Sequence, residues 1–314
     1  MSSPLILVTG ASSGLGLSLA KMLVSRGDRI VLTARSESLH RFGQAGIVES
    51  ANVAIRPLDL MKPSDRTALF DELNDPKGSF GGVDVLVNNA GFAYRSVLEH
   101  VEESELLQQM ITNFWGPMEL IRLALPGMRK KHKGHIINVS SVGGMMAMPT
   151  MSVYSASKFA LEGASESLYY EVKPWNISVT LVQPGFINSE SFDKTKYTTL
   201  SGLSMRDPSE AYYGHYRFMT EFIEKLMSWS FSNSDDVARK ILKLVGQSRP
   251  PLRLRTTPDA LLFDLLRRFL PRRFYHWFLY YGLPFPDCWG DVDRLKARCE
   301  IEKRRFQGSS HVNK

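Results

Sequence analysis

The chain has 314 residues, of which 43% are hydrophobic and 23% are charged, and this composition excludes a disordered or fibrous protein. No uncharged apolar stretch reaches the ~20 residues that a membrane-spanning helix needs, and no signal peptide is expected before the first strand. The two cysteines, Cys288 and Cys299, fit neither a zinc site nor a redox pair, so we expect a reducing, cytoplasmic environment.

The net charge of +7 is concentrated at one end of the chain. Residues 1–248 contain 25 Lys and Arg against 25 Asp and Glu, whereas residues 249–314 contain 14 against 7. The whole excess therefore belongs to the C-terminal segment. Nucleic-acid binding is not expected, because the basic residues of that segment alternate with apolar residues that need burial.

Apolar, β-branched runs alternate with helical patterns along the first 255 residues, which indicates a parallel sheet covered on both faces. Strands are predicted at 5–9, 30–34, 53–58, 83–88, 134–140, 178–183 and 252–255. Helices are predicted at 15–25, 64–73, 104–130, 152–173, 210–227 and 234–245. We therefore predict an α/β fold of the Rossmann type: a doubly wound, parallel seven-stranded sheet over residues 1–255, with a substrate lid at 186–231 and a helical C-terminal extension at 256–314.

A glycine-rich loop follows the first predicted strand and opens the first helix. Glycines at this position let the backbone turn tightly and approach a pyrophosphate at the positive end of the helix. The loop residues that we expect at such a cofactor are Gly10, Ser12, Ser13, Gly14, Leu15 and Gly16. An ordinary strand-to-helix turn is the alternative for the loop taken alone.

The end of the second predicted strand bears on the choice between the two nicotinamide cofactors. A carboxylate there would bind the ribose 2′-hydroxyl of NAD(H) and repel a 2′-phosphate. The chain has Ala34 followed by Arg35, whose guanidinium can pair with that phosphate. We therefore predict NADP(H) rather than NAD(H), with a solvated surface arginine as the alternative.

A third pattern combines Ser141 with Tyr154 and Lys158. Tyr154 and Lys158 are four residues apart and share one helix face, where an ammonium would stabilise a phenolate and lower the tyrosine pKa. Such a tyrosine can act in general acid–base catalysis. Ser141 follows a predicted strand at the carboxyl edge of the sheet, where open α/β sheets bind ligands. Its hydroxyl could bind the substrate oxygen, or it could simply cap a turn.

Together these motifs resemble the short-chain dehydrogenase/reductase family over roughly residues 4–250. The residues that carry the resemblance are Thr9–Gly16, Asp59, Asn88–Gly91, Asn113, Ser141, Tyr154, Lys158, Pro184 and Gly185. The resemblance implies that Asn113, Ser141, Tyr154 and Lys158 are catalytic, with Asn113 holding a water in a proton relay to Lys158. It further implies a cofactor site that includes Asp59 at the adenine, Asn89, Ala90 and Gly91 along the cofactor, Tyr154 and Lys158 at the nicotinamide ribose, and Pro184, Gly185, Ile187 and Ser189 around the nicotinamide. No metal is expected.

The segments expected above the carboxyl edge are rich in methionine and aromatic residues, and such a wall suits a lipophilic substrate. The residues that we expect at the substrate are Met145, Met146, Met148, Phe186 and Phe192. About half of the aromatic residues in the lid should instead pack it onto the body. The overall pattern is most similar to the 17β-hydroxysteroid and retinol dehydrogenase branch of the family.

The C-terminal extension places apolar side chains on one helix face and arginines beside an aromatic cluster. This pattern predicts contact of residues 260–281 with a membrane surface, on the cytosolic side, and packing on the body or in a dimer interface is the equal alternative. The family resemblance also implies a homodimer built from the helices at 104–130 and 152–173.

The sequence thus predicts an NADP(H)-dependent oxidoreductase of lipid, steroid or retinol metabolism that transfers hydride between nicotinamide and a lipophilic alcohol or carbonyl, with Tyr154 as the general acid or base. A retinoid, a steroid or a long-chain aldehyde would be the substrate. The enzymatic alternative is a reductase of 3-oxoacyl or 3-ketosphinganine type. The alternative from another class is a non-catalytic NADP(H) sensor or membrane scaffold.

Overall fold

A computed structural model describes residues 3–187 and 195–291, together with 293, 294, 297 and 298. Its strands are β1 (Leu5–Val8), β2 (Arg29–Ala34), β3 (Val53–Pro57), β4 (Val85–Asn88), β5 (Tyr94–Arg95), β6 (Gly134–Val139), β7 (Ile177–Gln183), β8 (Lys196–Tyr197) and β9 (Arg253–Arg255). Its α-helices are α1 (Gly14–Arg26), α2 (His40–Gln44), α3 (Pro63–Asn74), α4 (Glu103–Met110), α5 (Gly116–Lys130), α6 (Ser152–Val172), α7 (Thr199–Ser204), α8 (Tyr213–Ser228), α9 (Ser234–Val245), α10 (Pro258–Phe269) and α11 (Arg272–Tyr281).

Seven strands form one parallel sheet in the order β3-β2-β1-β4-β6-β7-β9. Helices α1 and α9 cover one face through a core that includes Leu19, Leu23 and Ile241. Helices α3, α5 and α6 cover the other face through residues such as Phe70 and Leu120. This arrangement confirms the predicted doubly wound fold. The chain reverses its direction of travel across the sheet between β1 and β4, and a ligand crevice is expected there.

The structure adds a small second sheet that the strand pattern did not predict. The two-residue strands β5 and β8 pair in a small separate parallel sheet, which joins the segment after β4 to the lid. Such short strands have no periodicity to detect. In addition, none of the described helices is long and apolar enough to cross a bilayer.

The single helix predicted at 104–130 is interrupted, which corrects the prediction. Residues Ile111–Trp115 form a π-helical turn between α4 and α5, closed by a hydrogen bond from Gly116 N–H to the Ile111 carbonyl. Pro117 explains the interruption, because a proline has no N–H to give to the carbonyl of Asn113 and would clash with it in an α-helix. The wider turn lies at Asn113, one of the predicted catalytic residues.

Candidate active site

The crevice between β1 and β4 is built by hydrogen bonds between the ends of these two strands. The Thr9 hydroxyl accepts hydrogen bonds from the backbone N–H groups of Asn89 and Ala90, each at 3.0 Å. The Asn89 side-chain amide donates to the carbonyls of Thr9 and Gly10 at 3.0 and 3.1 Å. The glycine loop and the loop after β4 are therefore held together as one rigid wall.

The geometry of the glycine loop explains why side chains are excluded from it. Gly10 has a φ of 64°, and a Cβ atom there would lie 2.7 Å from the Ala90 Cα atom. A Cβ at Gly16 would overlap the Gly10 carbonyl oxygen. The two glycines thus let the loop pack closely on Ala90 and on itself at the α1 N-terminus, where a dinucleotide pyrophosphate is expected.

A cleft of about 330 Å³ opens in front of this loop. The predicted cofactor residues that line it are Gly10, Ser12, Ser13, Leu15, Gly16, Arg35, Asp59, Asn89, Ala90 and Gly91. Gly14, which begins α1, is not among its lining residues. The described residues predicted at the nicotinamide end are not among them either: Tyr154, Lys158, Pro184, Gly185 and Ile187. The cleft therefore brings together the residues predicted for the adenine and pyrophosphate part of the cofactor path.

Two cations lie at the end of the cleft that β2 forms. Arg35 pairs with Glu37 at 3.0 Å and remains about half exposed. Arg41, in α2, also lines the cleft and was not predicted. It lies only six residues after Arg35, but no sequence pattern predicts the turn and the short helix that bring it back to the cleft. Lys196 of β8 is a further unpredicted lining residue.

The predicted catalytic side chains meet at the carboxyl edge of β6. Ser141 follows β6, and Tyr154 and Lys158 occupy the first two turns of α6. Ser141 is a hydrogen-bond partner of the Tyr154 phenol. The Ser141 hydroxyl also accepts from Gly143 N–H at 3.0 Å, and a Cβ at Gly143 would lie 2.8 Å from the Tyr154 ring. Gly143 therefore makes room for the tyrosine beside the serine.

The surroundings of Tyr154 shift its pKa in the direction opposite to the prediction. Burial raises the pKa of the phenol above its ordinary value, and the hydrogen bond with Ser141 lowers it by less. The Lys158 ammonium lies 5.9 Å from the centre of the Tyr154 ring. The predicted lowering of the pKa by Lys158 alone was therefore wrong: the groups of the chain itself favour the protonated phenol.

Lys158 is held in a buried position by its own contacts. Its ammonium donates to the Val139 carbonyl at 2.9 Å, at the last residue of β6. Burial lowers the pKa of Lys158 to about 8, and the nearby Glu162 carboxylate acts against this shift. Glu162 itself is buried, accepting from Gln183 at 2.9 Å and facing Arg253 at 3.4 Å. Glu162 was not predicted as a site residue, although its position four residues after Lys158 places it on the same helix face.

Asn113 joins the π-helical turn to the catalytic helix. Its side-chain amide donates to the Phe92 carbonyl at 2.9 Å and to the Ser157 hydroxyl at 3.0 Å. Its side-chain oxygen accepts from Phe92 N–H at 3.1 Å. A Cβ at Gly91 would lie 3.2 Å from that oxygen and 3.6 Å from the Lys158 ammonium. Asn113 therefore fixes the loop that passes Lys158, while its backbone carbonyl cannot bond to Pro117.

Comparison with known proteins agrees with this geometry. Residues 4–199 match the family model described as short chain dehydrogenase. The chain belongs to the short-chain dehydrogenase family. The 3-ketodihydrosphingosine reductase of Bacteroides thetaiotaomicron is 35% identical over 274 residues, which are 86% of this chain and 94% of that protein. Retinol dehydrogenase 8 of Bos taurus is 34% identical over 262 residues, which are 80% of each protein.

A solved structure of the same family has also been determined with its cofactor. A metagenomic short-chain oxidoreductase in complex with NADP is 25% identical, with a TM-score of 0.62, and the match covers 81% of this chain and 97% of that one. This short-chain dehydrogenase is therefore an oxidoreductase with a nicotinamide cofactor site. The membership confirms the resemblance that the sequence motifs carried.

In this short-chain dehydrogenase the predicted nicotinamide loop is clamped from several sides. Val142 N–H donates to the Pro184 carbonyl at 2.7 Å. Thr257 and Asp259, at the start of α10, accept from the N–H groups of Gly185 at 2.9 Å and Phe186 at 2.7 Å. A Cβ at Gly185 would overlap the Asp259 carboxylate. The first turn of the predicted extension is thus packed directly on the loop. Ser189 lies outside the described residues.

The residues predicted at the substrate do not lie together on one open surface. Met145 and Met146 are buried in a cluster with Val142 and Ala260, and Met148, Phe263 and Leu279 pack against it. The open methionine wall that we expected is therefore covered by α10 and α11 on this side. Phe186 is partly buried in the clamped loop, and Ile187 packs on the core that α1 and α9 cover. Phe192 lies outside the described residues.

The lid helix α8 agrees with the expectation that many of its aromatic residues pack on the body. Tyr216, Phe218 and Met219 are fully buried. The Tyr216 hydroxyl accepts from Val97 N–H at 3.0 Å and lies 3.0 Å from a ring nitrogen of His100. These side chains hold the lid and are not available to a substrate.

Proposed function

We propose that this short-chain dehydrogenase is an NADP(H)-dependent oxidoreductase that reduces a lipophilic ketone or aldehyde. The observation that carries the proposal is the cluster of Ser141, Tyr154 and Lys158 beside the cofactor cleft, with the serine hydrogen-bonded to the tyrosine. This is the constellation that proton transfer to a carbonyl oxygen needs: a hydrogen-bond donor, an acid and a cation. Bound nicotinamide would supply the hydride.

The residues of the chain then divide the work on the substrate oxygen. The Ser141 hydroxyl donates a hydrogen bond to it, and the Tyr154 phenol gives it a proton as the carbonyl carbon is reduced. The negative charge that forms on the phenol is stabilised by the Lys158 ammonium, which the Val139 carbonyl holds in place. Asn113 keeps the loop at Gly91 against Lys158, and a water at its backbone carbonyl, to which Pro117 cannot donate, would return the proton through Lys158.

The pKa of Tyr154 decides the form in which the residue can act. A general acid must be protonated before the step, whereas a general base must have lost its proton. Burial raises the pKa of this phenol, so that the protonated form predominates at neutral pH. Tyr154 is therefore in the form that can donate a proton to a carbonyl oxygen.

The preference for NADP(H) over NAD(H) rests on the two arginines at the β2 end of the cleft. Arg35 and Arg41 both line it, and a 2′-phosphate there would form charge-assisted hydrogen bonds with guanidinium groups. The carboxylate of Asp59, which also lines the cleft, is the group that we assign to the adenine.

The substrate class is supported by the two relatives. Among the first candidates, the retinol dehydrogenase of Bos taurus favours a retinoid. The 3-ketodihydrosphingosine reductase of Bacteroides thetaiotaomicron favours the second candidate, a 3-oxo sphingoid base. Both classes join a carbonyl to a long apolar body, which agrees with the lipophilic substrate that the sequence predicts.

The test is NADPH consumption by the full chain with retinal, a steroid ketone, a long-chain aldehyde, 3-ketosphinganine and a 3-oxoacyl thioester. We expect turnover on one of these classes, and a slower rate when NADH replaces NADPH. Tight NADPH binding without turnover on any of them would contradict the proposal and support the NADP(H) sensor or membrane scaffold instead.

We further assign the enzyme to the cytosol as a homodimer joined through α4, α5 and α6. Leu107 of α4, Trp115 of the π-helical turn and Tyr170 of α6 are exposed on the outside of the body, and a second copy would cover them.

A further inference from the structure

The helices of the C-terminal extension bury one face and leave the other exposed. Their inner face packs through Ala260, Phe263 and Leu279 on the methionine cluster beside the active site. The large apolar side chains on the outer face, which we call the apolar ridge, are Leu261, Leu262, Leu265, Phe269, Phe274, Trp277, Phe278, Tyr280 and Tyr281. The extension is thus docked on the body and is also unpartnered on its far side.

The aromatic part of the apolar ridge has the spacing of a helix stripe that is normally buried. Phe274, Trp277, Phe278 and Tyr281 follow one another at positions i, i+3, i+4 and i+7 of α11. Trp277 lies 5.5 Å from the Phe274 ring and 5.2 Å from the Tyr281 ring, centre to centre. Tryptophan and tyrosine join an apolar body to a polar tip, which is the property favoured at a membrane–water interface.

The charges beside the apolar ridge are of one sign. The sequence has no carboxylate between Asp264 and Asp287, whereas Arg267, Arg268, Arg272 and Arg273 lie in that interval. Asp264 itself pairs with Arg255 at 2.9 Å and with Arg268 at 3.1 Å, so Arg268 already has an acidic partner. Within the described residues, Arg272 and Arg273 are exposed and have no carboxylate at ion-pair distance.

We propose that the apolar ridge docks the enzyme on the surface of an anionic lipid bilayer. Arginines around an amphipathic helix pair with anionic headgroups while the aromatic side chains enter the headgroup region. A second copy of the chain fits the apolar ridge less well than a bilayer does. In a ridge-to-ridge dimer, Arg272 and Arg273 of one copy would lie against the same arginines of the other, with no carboxylate to pair with. The bilayer supplies the missing negative charge.

The position of the apolar ridge connects the bilayer to the active site. The ridge and the methionine cluster lie on opposite sides of the same two helices, and one helix with its side chains is about 10 Å thick. Docking would therefore hold the loop after Ser141 about one helix diameter above the lipid. A lipophilic substrate dissolved in the bilayer would have a short path to the enzyme.

The experiment is co-sedimentation of the full chain with vesicles of phosphatidylcholine alone and with 30% phosphatidylserine. The apolar variant is Trp277→Ser with Phe278→Ser, and the charge variant is Arg272→Gln with Arg273→Gln. The matched control is Trp229→Ser with Phe231→Ser, which removes the same two side-chain types from exposed positions outside the extension. All four side chains changed to serine are exposed, so folding should survive and thermal unfolding would check it.

We expect the wild type and the matched control to bind the anionic vesicles equally. The charge variant should bind them about 30-fold more weakly, since each arginine contributes roughly 1 kcal/mol near an anionic surface. The apolar variant should bind at least about tenfold more weakly.

Equal binding by the apolar variant and the wild type, or no vesicle binding at all, would overturn the proposal. Dimerisation through the apolar ridge would also overturn the proposal. It would be seen in light scattering as a wild-type dimer that becomes a monomer in the apolar variant. Vesicle binding is measured without turnover, so this result and that of the substrate panel are independent.

Discussion

Lys158 and Tyr154 form a pair in which burial acts on both groups and favours the neutral form of each. Burial raises the pKa of Tyr154 and lowers that of Lys158 to about 8. The spacing of the two residues in the sequence predicted that they would be neighbours, but not the sign of the tyrosine shift. Spacing specifies which groups share a helix face, whereas burial depends on everything that packs above them.

A pH profile of the reduction reports on this pair. Tyr154 must be protonated to donate, and Lys158 must be charged to stabilise the phenolate that results. The lysine loses its charge as the pH rises through about 8. We expect kcat for reduction to be level below that pH and to fall above it.

A rate of reduction that instead rises through pH 8 would contradict the roles given to these two residues. The control is Lys243, an exposed lysine of α9: Lys243→Gln should leave the profile unchanged.

Arg35 carries the predicted preference for the phosphorylated cofactor, and it does so from a half-exposed position beside Glu37. We expect Arg35→Ser to weaken NADP⁺ binding by about tenfold, the loss of one solvent-screened contact to a charged group. NAD⁺ has no 2′-phosphate, so its binding should change little. Titration of both cofactors by fluorescence measures the two effects, and an equal loss for both would contradict the assignment.

At the scale of elements, the position of α10 was the hardest to predict from the sequence. We predicted the extension to begin at residue 256, and that division stays a prediction. Thr256, Thr257 and Ala260 are buried, however, and Thr257 and Asp259 bind the loop at Gly185. A threonine N-cap followed by proline is a recognisable helix start, but no local pattern reveals that its side chains reach a loop more than 70 residues away.

Asp259 is therefore a positioning residue for the nicotinamide loop. We expect Asp259→Ala to weaken NADP⁺ binding about tenfold, because Phe186 N–H loses its acceptor and the loop loosens. Binding of 2′,5′-ADP should not change, since this fragment carries the adenosine and the 2′-phosphate but no nicotinamide. Isothermal titration of both compounds makes the comparison.

Asp287→Ala, at an exposed position later in the extension, is the control for that change. Equal weakening of NADP⁺ and 2′,5′-ADP by Asp259→Ala would indicate a general loss of structure and contradict the positioning role.

The π-helical turn at Ile111–Trp115 illustrates another limit at this scale. The helical periodicity continues through it, so the pattern predicted one helix, while Pro117 alone marked the interruption. The loop that contains Met145, Met146 and Met148 was also not predictable in detail. It leads to Thr150, a β-branched residue at a φ of 61°, which only its surroundings can impose.

For the whole molecule, the sheet and its covering helices follow from strands and helices that alternate with short connections. The seven strands were all predicted within two residues of their ends, and the central ones are apolar and buried on both faces, as in β1 and β4. The catalytic residues followed from their order along the chain. What the sequence did not reveal is how distant segments meet, as when the extension covers Met145 and Met146.

Carbonyl reduction by this enzyme requires Tyr154 as the proton donor, and Tyr154→Phe tests that role most directly. The ring and its packing remain, while the proton is lost. With the best carbonyl substrate, we expect NADPH turnover to fall about 100- to 10,000-fold, the contribution of a general acid, with NADPH affinity within about twofold of the wild type. A variant that keeps the affinity and more than about a tenth of the wild-type turnover would contradict the account.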